Sequence, residues 1–141
     1  MKSLAEKEQE LIEDFSFYSD WMDKYEYIIE LGKSLPAIDA SLKTEERVIK
    51  GCQSKVWMNA ELKDGVVVYT ADADAVIAKG IIALLVHVLS NEKPQDIVDA
   101  ELTFIKKIGL QEHLSPTRSN GLVAMLKQMK LDALALNTIA K

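Results

Sequence analysis

The one cysteine of this 141-residue chain, Cys52, is the strongest candidate for a chemically reactive side chain. It follows a glycine in a loop, whereas a structural cysteine is usually a small buried hydrophobe. Arg47, Lys50 and Lys55 lie within five residues of it, and nearby positive charge favours the thiolate over the thiol. Loops on a rigid scaffold are also where functional groups concentrate. We therefore expect a reactive thiolate at Cys52, with a buried structural cysteine as the alternative.

The chemistry open to Cys52 is limited by the few other reactive groups in the chain. A dithiol cycle requires a second cysteine, and a zinc or iron–sulfur site requires three or four soft ligands, which the sequence lacks. Cysteine–histidine hydrolysis stays open because folding could bring His87 or His113 near the sulfur, although neither lies in a recognisable signature. A single thiolate can attack a sulfur on another protein and hold the product. Sulfur relay by one cysteine fits this inventory best, with no metal site.

The charge distribution argues against a general nucleic-acid binder. The formal net charge is -5 and the isoelectric point is about 5.1. Residues 1–46 carry twelve acids against five bases, whereas residues 47–71, which hold the cysteine, carry four bases against two acids. A single cysteine forms no internal disulfide, and the longest apolar stretch, residues 81–89, is too short to span a bilayer. With no secretory segment at the N-terminus, we expect a cytoplasmic protein that contacts neither membrane nor nucleic acid.

Apolar residues at helical spacing predict a mostly helical chain folded as one domain over residues 1–141. Each expected helix has a start or stop signal. The helices are expected over residues 4–18, from Asp20 to about Gly32, from a cap at Asp72 or Asp74 to about Ser90, from Pro94 to a stop at Gly109, and from Ser115-Pro116 or Ser119-Asn120 toward the C-terminus.

Between these helices the apolar period changes to two, which predicts a β-hairpin. Residues 56–63 alternate strictly, Asp64-Gly65 is a strong signal for a two-residue turn, and residues 66–71 return as the partner strand. A third short strand is expected over residues 47–50. The expected apolar-face pairs are Met58–Ala71, Ala60–Tyr69 and Leu62–Val67, and the opposite face carries Asn59–Thr70 and Glu61–Val68. The fold class is therefore α+β, with a small antiparallel sheet and flanking helices.

Several segments resemble the SufE family, in chain order from about residue 5 to residue 136. The most specific is residues 48–57, which resembles the family signature G-C-Q-S-x-V-W after a short strand. Residues 113–122 resemble the family's H-L-[ST]-P-[ST]-R-S-x-G-L segment. Residues 21–36 are similar to its second helix and residues 72–80 to the start of its long helix. The resemblance implies an α+β fold shared with IscU-type cluster scaffolds.

The resemblance also implies a function in sulfur transfer. Cys52 would take sulfur as a persulfide from a SufS-type cysteine desulfurase, stimulate that enzyme, and pass the sulfur to a SufBCD-like scaffold. Pyridoxal phosphate would belong to the desulfurase, and this chain would hold no cofactor and act as a monomer or weak homodimer. We expect Gly51, Gln53 and Ser54 to shape the cysteine loop, and Arg118, Asp74, Lys50 and Lys55 to bind the partner.

Two other functions are compatible with such a fold. A docking-only regulator would bind a desulfurase without carrying sulfur, so Cys52 would be dispensable. A cluster or metal scaffold is the less favoured of the two because the chain lacks the ligand cysteines that it would need.

Overall fold

The computed structural model describes residues 2–140 and has the expected α+β architecture, with one antiparallel hairpin and seven α-helices in that range. Two 3-10 turns, Ala40–Leu42 and Glu45–Arg47, precede the hairpin. The elements in chain order are α1 (Leu4–Phe17), α2 (Trp21–Lys33), β1 (Val56–Lys63), β2 (Val66–Ala73), α3 (Val76–Leu89), α4 (Pro94–Asp99), α5 (Phe104–Lys107), α6 (Leu110–His113) and α7 (Pro116–Ala140).

The first two helices begin where their capping residues predict. The Ser3 hydroxyl of α1 accepts the Glu6 N–H at 3.2 Å, and the Glu6 carboxylate accepts the Ser3 N–H in return. The Asp20 carboxylate accepts the Asp23 N–H at 2.9 Å at the start of α2. The expected helix over residues 4–18 and the expected cap at Asp20 are therefore confirmed.

Helices α2 and α3 cross at two glycines. A Cβ atom added at Gly32 would lie only 2.9 Å from the Gly80 nitrogen, closer than real side chains approach. The backbones therefore touch at this crossing, and Ile28 of α2 is fully buried beside it. Helix α3 is buried along most of its length and forms the centre of the core.

The hairpin has the register that the sequence predicts. Asp64 and Gly65 both have positive φ, 51° and 83°, as a tight two-residue turn requires. The buried face of the hairpin packs on α3, and the Tyr69 hydroxyl donates to the Met129 carbonyl of α7 at 2.7 Å. The observed pairs include Met58–Ala71, Ala60–Tyr69, Leu62–Val67, Asn59–Thr70 and Glu61–Val68.

The expected third strand over residues 47–50 is wrong. Arg47 closes a 3-10 turn in which its N–H donates to the Thr44 carbonyl, so it is not extended. One bridge joins Val48 to Trp57, with the N–H of Ile49 donating to the Val56 carbonyl at 2.8 Å. Beyond that bridge no third strand lies along β1 within residues 2–140.

The expected cap of the long helix at Asp72 or Asp74 is also wrong. Strand β2 continues to Ala73, two residues beyond the expected end, which places Asp72 in the sheet opposite Trp57. Helix α3 therefore starts at Val76 with no side-chain cap. The Asp74 carboxylate instead binds the cysteine loop, as described below.

The helix that Pro94 starts ends sooner than expected. Helix α4 stops at Asp99, and a turn follows in which Leu102 has a φ of 51°. Gly109, with a φ of 72°, therefore follows the separate short helix α5 and not α4. The turn at Leu102 separates α4 from α5, and Gly109 lies between α5 and α6.

Of the two expected start signals for the last helix, Ser115-Pro116 is the one used. The Ser115 hydroxyl accepts the Arg118 N–H at 3.3 Å, and the Ser119 N–H donates to the Ser115 carbonyl. Ser119-Asn120 lies inside α7, which buries Leu122, Met125, Met129 and Ala133. No helix within residues 2–140 has both the length and the apolar character needed to cross a bilayer.

Candidate functional site

Cys52 lies in a loop that folds back onto the first turns of α7. Its sulfur is 3.7 Å from the carbonyl oxygen of Gly121, to which the thiol S–H donates. Gly51 turns the chain with a φ of 99°, and a Cβ atom there would lie 3.1 Å from the Ala124 Cβ. Small residues on this face of α7 therefore let the loop and its sulfur come close to the helix backbone.

The Cys52 side chain lines a small cavity of about 80 Å³ between the loop, α3 and α7. One water-sized group needs roughly 10–15 Å³ of such space, so the cavity has room for a further sulfur atom beside Cys52. Its other walls include Ser54 and Gln53 of the loop, Ala75 and Ala78 at the start of α3, and Thr117, Arg118 and Met125 of α7.

Burial raises the pKa of the Cys52 thiol, which is half-buried in this conformation. This direction is opposite to the one expected from the neighbouring basic residues. The Lys55 ammonium instead lies 3.2 Å from the Glu45 carboxylate, and the Lys50 side chain is exposed to solvent. The resting sulfur is therefore a protonated thiol, and greater exposure to solvent would lower its pKa and favour the thiolate.

Asp74 fastens one end of the cysteine loop to the start of α3. Its carboxylate accepts the Lys55 N–H at 3.0 Å, and its own N–H donates to the Lys55 carbonyl at 3.0 Å. The hydrogen bond from the Ile49 N–H to the Val56 carbonyl also ties the loop, so residues 50–54 are held from both ends. Asp74 is exposed, and its role toward a partner stays a prediction beside this observed role in the loop.

The structure brings Arg118 to the same cavity as Cys52, although the two residues are far apart in the chain. Its side chain is exposed on the first turn of α7, and within residues 2–140 no carboxylate forms an ion pair with it. Lys50 and Lys55 flank the loop and are also exposed. The expected partner-binding residues are therefore accessible around the sulfur.

Neither histidine lines the Cys52 cavity. His113 stacks on Trp21 with ring centroids 4.0 Å apart, and its Nδ1 lies 3.0 Å from the Gly109 carbonyl oxygen. His87 lies on α3 and lines a different cavity, formed with the end of α2. Across the described residues, no three His, Cys, Asp or Glu side chains group in a way that could hold a metal ion.

Comparison with known proteins gives the family. The family model SufE, described as an Fe-S metabolism associated domain, matches residues 9–133. This chain belongs to the SufE family. An uncharacterized SufE-like protein of Rhizobium meliloti (strain 1021) is 37% identical over 130 residues, which cover 88% of this chain and 92% of the relative.

This SufE-family protein also shares its fold with a solved structure. The solution structure of a hypothetical protein from Thermus thermophilus matches with a TM-score of 0.78, covering 94% of this chain and 96% of the other. Sequence identity is 22%, so this likeness concerns the fold. Family membership supports a role in sulfur transfer for iron–sulfur assembly and implies a cysteine desulfurase as partner.

Sequence reasoning missed two parts of this SufE-family site. The carbonyl of Gly121 accepts a hydrogen bond from the Cys52 thiol. The only sequence signal for this role was that Gly121 lies within residues 113–122, which resemble the family. The two hydrogen bonds between Asp74 and Lys55 had no signal, because they join backbone and carboxylate across 19 residues.

Proposed function

We propose that this SufE-family protein accepts one sulfur atom on Cys52 from a SufS-type cysteine desulfurase, stimulates that enzyme, and passes the sulfur to a SufBCD-like scaffold. The observation that carries the proposal is the placement of the chain's one cysteine in a loop against α7, beside a cavity with room for an added sulfur. The basic side chains of Lys50, Lys55 and Arg118 surround that loop.

The proposed transfer is an exchange between a thiolate and a persulfide. The Cys52 thiol first loses its proton, and the thiolate attacks the outer sulfur of a cysteine persulfide on the desulfurase. A sulfur–sulfur bond to Cys52 forms as the donor's sulfur–sulfur bond breaks, and the donor cysteine leaves as a thiolate that takes up a proton. The exchange needs no external oxidant or reductant. The same step, with a scaffold thiolate as attacker, removes the sulfur.

The half-buried resting thiol supports a two-state loop. In the observed state Cys52 is protonated and covered by α7, which protects a sulfur atom held there from solvent. In the reactive state residues 50–54 leave α7, the thiol loses its burial and its pKa falls toward the ordinary range. Docking of the desulfurase would stabilise the second state, because an exposed loop can enter the partner's site.

The remaining parts of the proposal concern the setting of the reaction. The desulfurase contacts four side chains of this protein, Arg118, Asp74, Lys50 and Lys55. The cysteine loop is able to fold back because of Gly51, Gln53 and Ser54. The pyridoxal phosphate is on the desulfurase, and this chain acts without a cofactor of its own. We place the protein in the cytoplasm as a monomer or weak homodimer, since its single cysteine needs no oxidising compartment.

The proposal is tested by intact mass spectrometry. The protein is incubated with an active SufS-type desulfurase and L-cysteine, and we expect a gain of one sulfur atom that a reducing thiol removes. Cys52→Ser is the matched control and should gain none while keeping its fold by circular dichroism. If the wild-type protein gains no sulfur while the desulfurase releases alanine, the relay proposal is wrong.

A docking-only regulator is the second candidate, and the protonated, half-buried state of Cys52 is the observation that favours it. The two functions differ in the behaviour of Cys52→Ser. A relay requires that this variant lose desulfurase stimulation although it still binds. A docking-only regulator requires that stimulation be kept, and alanine release at saturating protein separates the two.

A further inference from the structure

Another cavity, of about 390 Å³, lies between β1 and the C-terminal half of α7. Its walls share no residue with the Cys52 cavity. It opens where no third strand covers β1, so Met58, Asn59 and Ala60 face it from the sheet edge. Cavities of roughly 300–1,000 Å³ are the usual size of small-molecule sites.

Arg47 supplies a positive charge at one wall of this cavity. Its Nε–H donates to the Asn59 side-chain oxygen at 3.2 Å, which fixes the orientation of the guanidinium. Within residues 2–140 the Arg47 side chain makes no other hydrogen bond and no ion pair. The remaining guanidinium N–H groups are therefore available to bind a carboxylate.

Asp132 supplies a carboxylate from α7 at the same cavity. One of its oxygens accepts the Gln128 amide N–H at 2.9 Å, and in the described part of the chain no cation lies within ion-pair distance of the other. Burial raises the pKa of the Asp132 carboxyl, because the half-buried charge is poorly solvated. A cation beside Asp132 would compensate for that lost solvation.

Five of the eight other residues that line the cavity are apolar, namely Val48, Met58, Ala60, Ala135 and Leu136, and the other three are Asn59, Gln128 and Glu46. Ala135 and Leu136 of α7 face Val48 and Met58 across it, while Glu46 adds an exposed carboxylate at the 3-10 turn. A simple anion would leave Asp132 uncompensated, and a simple cation would leave Arg47 uncompensated. A ligand that carries both charges and an apolar group satisfies all three parts of the cavity.

We propose that the cavity between Arg47 and Asp132 binds a free α-amino acid with an apolar side chain. The Arg47 guanidinium binds its carboxylate with paired N–H donors, as arginine commonly does. The Asp132 carboxylate accepts from its ammonium group, and the apolar side chain lies against Met58 and Leu136. The site is separate from the Cys52 loop and does not depend on the proposed sulfur relay.

The test is binding of L-leucine and L-methionine, followed by amide chemical shifts of the full chain. We expect saturable shifts confined to the 46–48, 58–60 and 128–136 segments. N-acetyl-L-leucine lacks the ammonium, L-leucinamide lacks the carboxylate, and glycine lacks the side chain. Each of the three should bind roughly tenfold more weakly or worse, because each loses one of the three groups. Equal binding of N-acetyl-L-leucine, or shifts elsewhere in the chain, would overturn the proposal.

Matched variants assign the two charges. Arg47→Met and Asp132→Asn should each weaken L-leucine binding roughly tenfold or more. Lys106→Met and Asp96→Asn each change an exposed charged residue outside the cavity lining, and both variants should bind L-leucine as the wild-type protein does. Asp132→Asn is nearly isosteric and removes a half-buried charge, so it should fold even if Arg47→Met does not. Unchanged binding by a folded Asp132→Asn would contradict the proposal.

Discussion

The Cys52 sulfur lies 3.7 Å from the carbonyl oxygen of Gly121, a residue 69 positions away at the start of α7. This contact holds the only cysteine of the chain against a helix, where its side chain is half-buried. A thiol that donates to a carbonyl is neutral, so the same contact that protects the sulfur also keeps it unreactive. In the proposed relay, reaction therefore depends on how easily the loop leaves α7.

The first prediction concerns the reactivity of the resting thiol. Burial raises the pKa of Cys52, so alkylation by iodoacetamide should be slower in the folded protein than in the urea-unfolded chain. Its rate should also keep rising with pH above about 8.5, the ordinary thiol value. A folded thiol that reacts as fast as the unfolded one would contradict the observed burial.

The raised pKa has a consequence for stability. The folded state holds the Cys52 proton more tightly than the unfolded state, so the resulting stabilisation is fully present below the ordinary thiol pKa. It is lost as pH rises from about 8.5 through the higher folded value. The free energy of unfolding of the wild-type protein should therefore fall more steeply in this alkaline range than that of Cys52→Ala. Parallel pH profiles of the two proteins, measured by urea denaturation, would contradict this.

The second prediction concerns the anchor of the loop. Asp74→Ala removes the acceptor of the Lys55 N–H, a hydrogen bond of about 1 kcal/mol, and should speed Cys52 alkylation about fivefold. Glu45→Gln is the matched control, because it alters only the ion pair of the same lysine's side chain. It should leave the rate nearly unchanged. Equal effects of both variants would mean that the backbone anchor does not control the loop.

The third prediction concerns the turn before the cysteine. Gly51→Ala adds a Cβ atom to a residue with positive φ and places that atom 3.1 Å from the Ala124 Cβ. Gly65→Ala also adds a Cβ atom to a residue with positive φ, but there the new atom meets no other residue within 4 Å. Gly65→Ala should lower the free energy of unfolding by about 1–2 kcal/mol, and Gly51→Ala by more.

The control for crowding is a double variant. Ala124→Gly removes the atom that the new side chain would meet, so it should recover part of the loss in Gly51→Ala and nothing in Gly65→Ala. Urea denaturation of the single and double variants measures this difference. Additive losses in both pairs would show that only backbone strain acts at Gly51.

Local chemistry made much of the fold predictable. The Asp20 cap and the Asp64-Gly65 turn each act within four residues, and the hairpin register follows from the alternation that the turn fixes. The errors arose where a distant contact competes with a local preference. Asp74 would cap α3 by its position, yet it binds Lys55 because β2 runs longer and brings the loop to it.

The candidate site at Cys52 shows the same difference between local signals, which the sequence carries, and distant contacts, which it does not. The loop sequence pointed to Cys52, and the resemblance pointed to Arg118. The basic neighbours, however, indicated the wrong direction for the pKa of Cys52. Spacing along the chain does not show that α7 covers the loop. Likewise, Arg47 and Asp132 face one cavity only because the end of α7 returns to β1. No local pattern predicts that meeting.

The last prediction concerns the charged surface around the cysteine. Lys50→Glu and Arg118→Glu should each weaken binding to a SufS-type desulfurase about tenfold, equivalent to about 1.4 kcal/mol, if an acidic partner surface faces them. The loss should shrink as salt rises, because exposed charges are screened beyond about 10 Å at 0.1 M salt.

Lys63→Glu is the matched control for these reversals. Lys63 is an exposed lysine on the same hairpin, at the opposite end of β1 from the loop, roughly 23 Å away for eight strand residues. Its reversal changes the net charge by the same amount but should leave binding unchanged. Equal weakening by all three variants would indicate an effect of net charge alone, and no weakening would remove Lys50 and Arg118 from the docking surface.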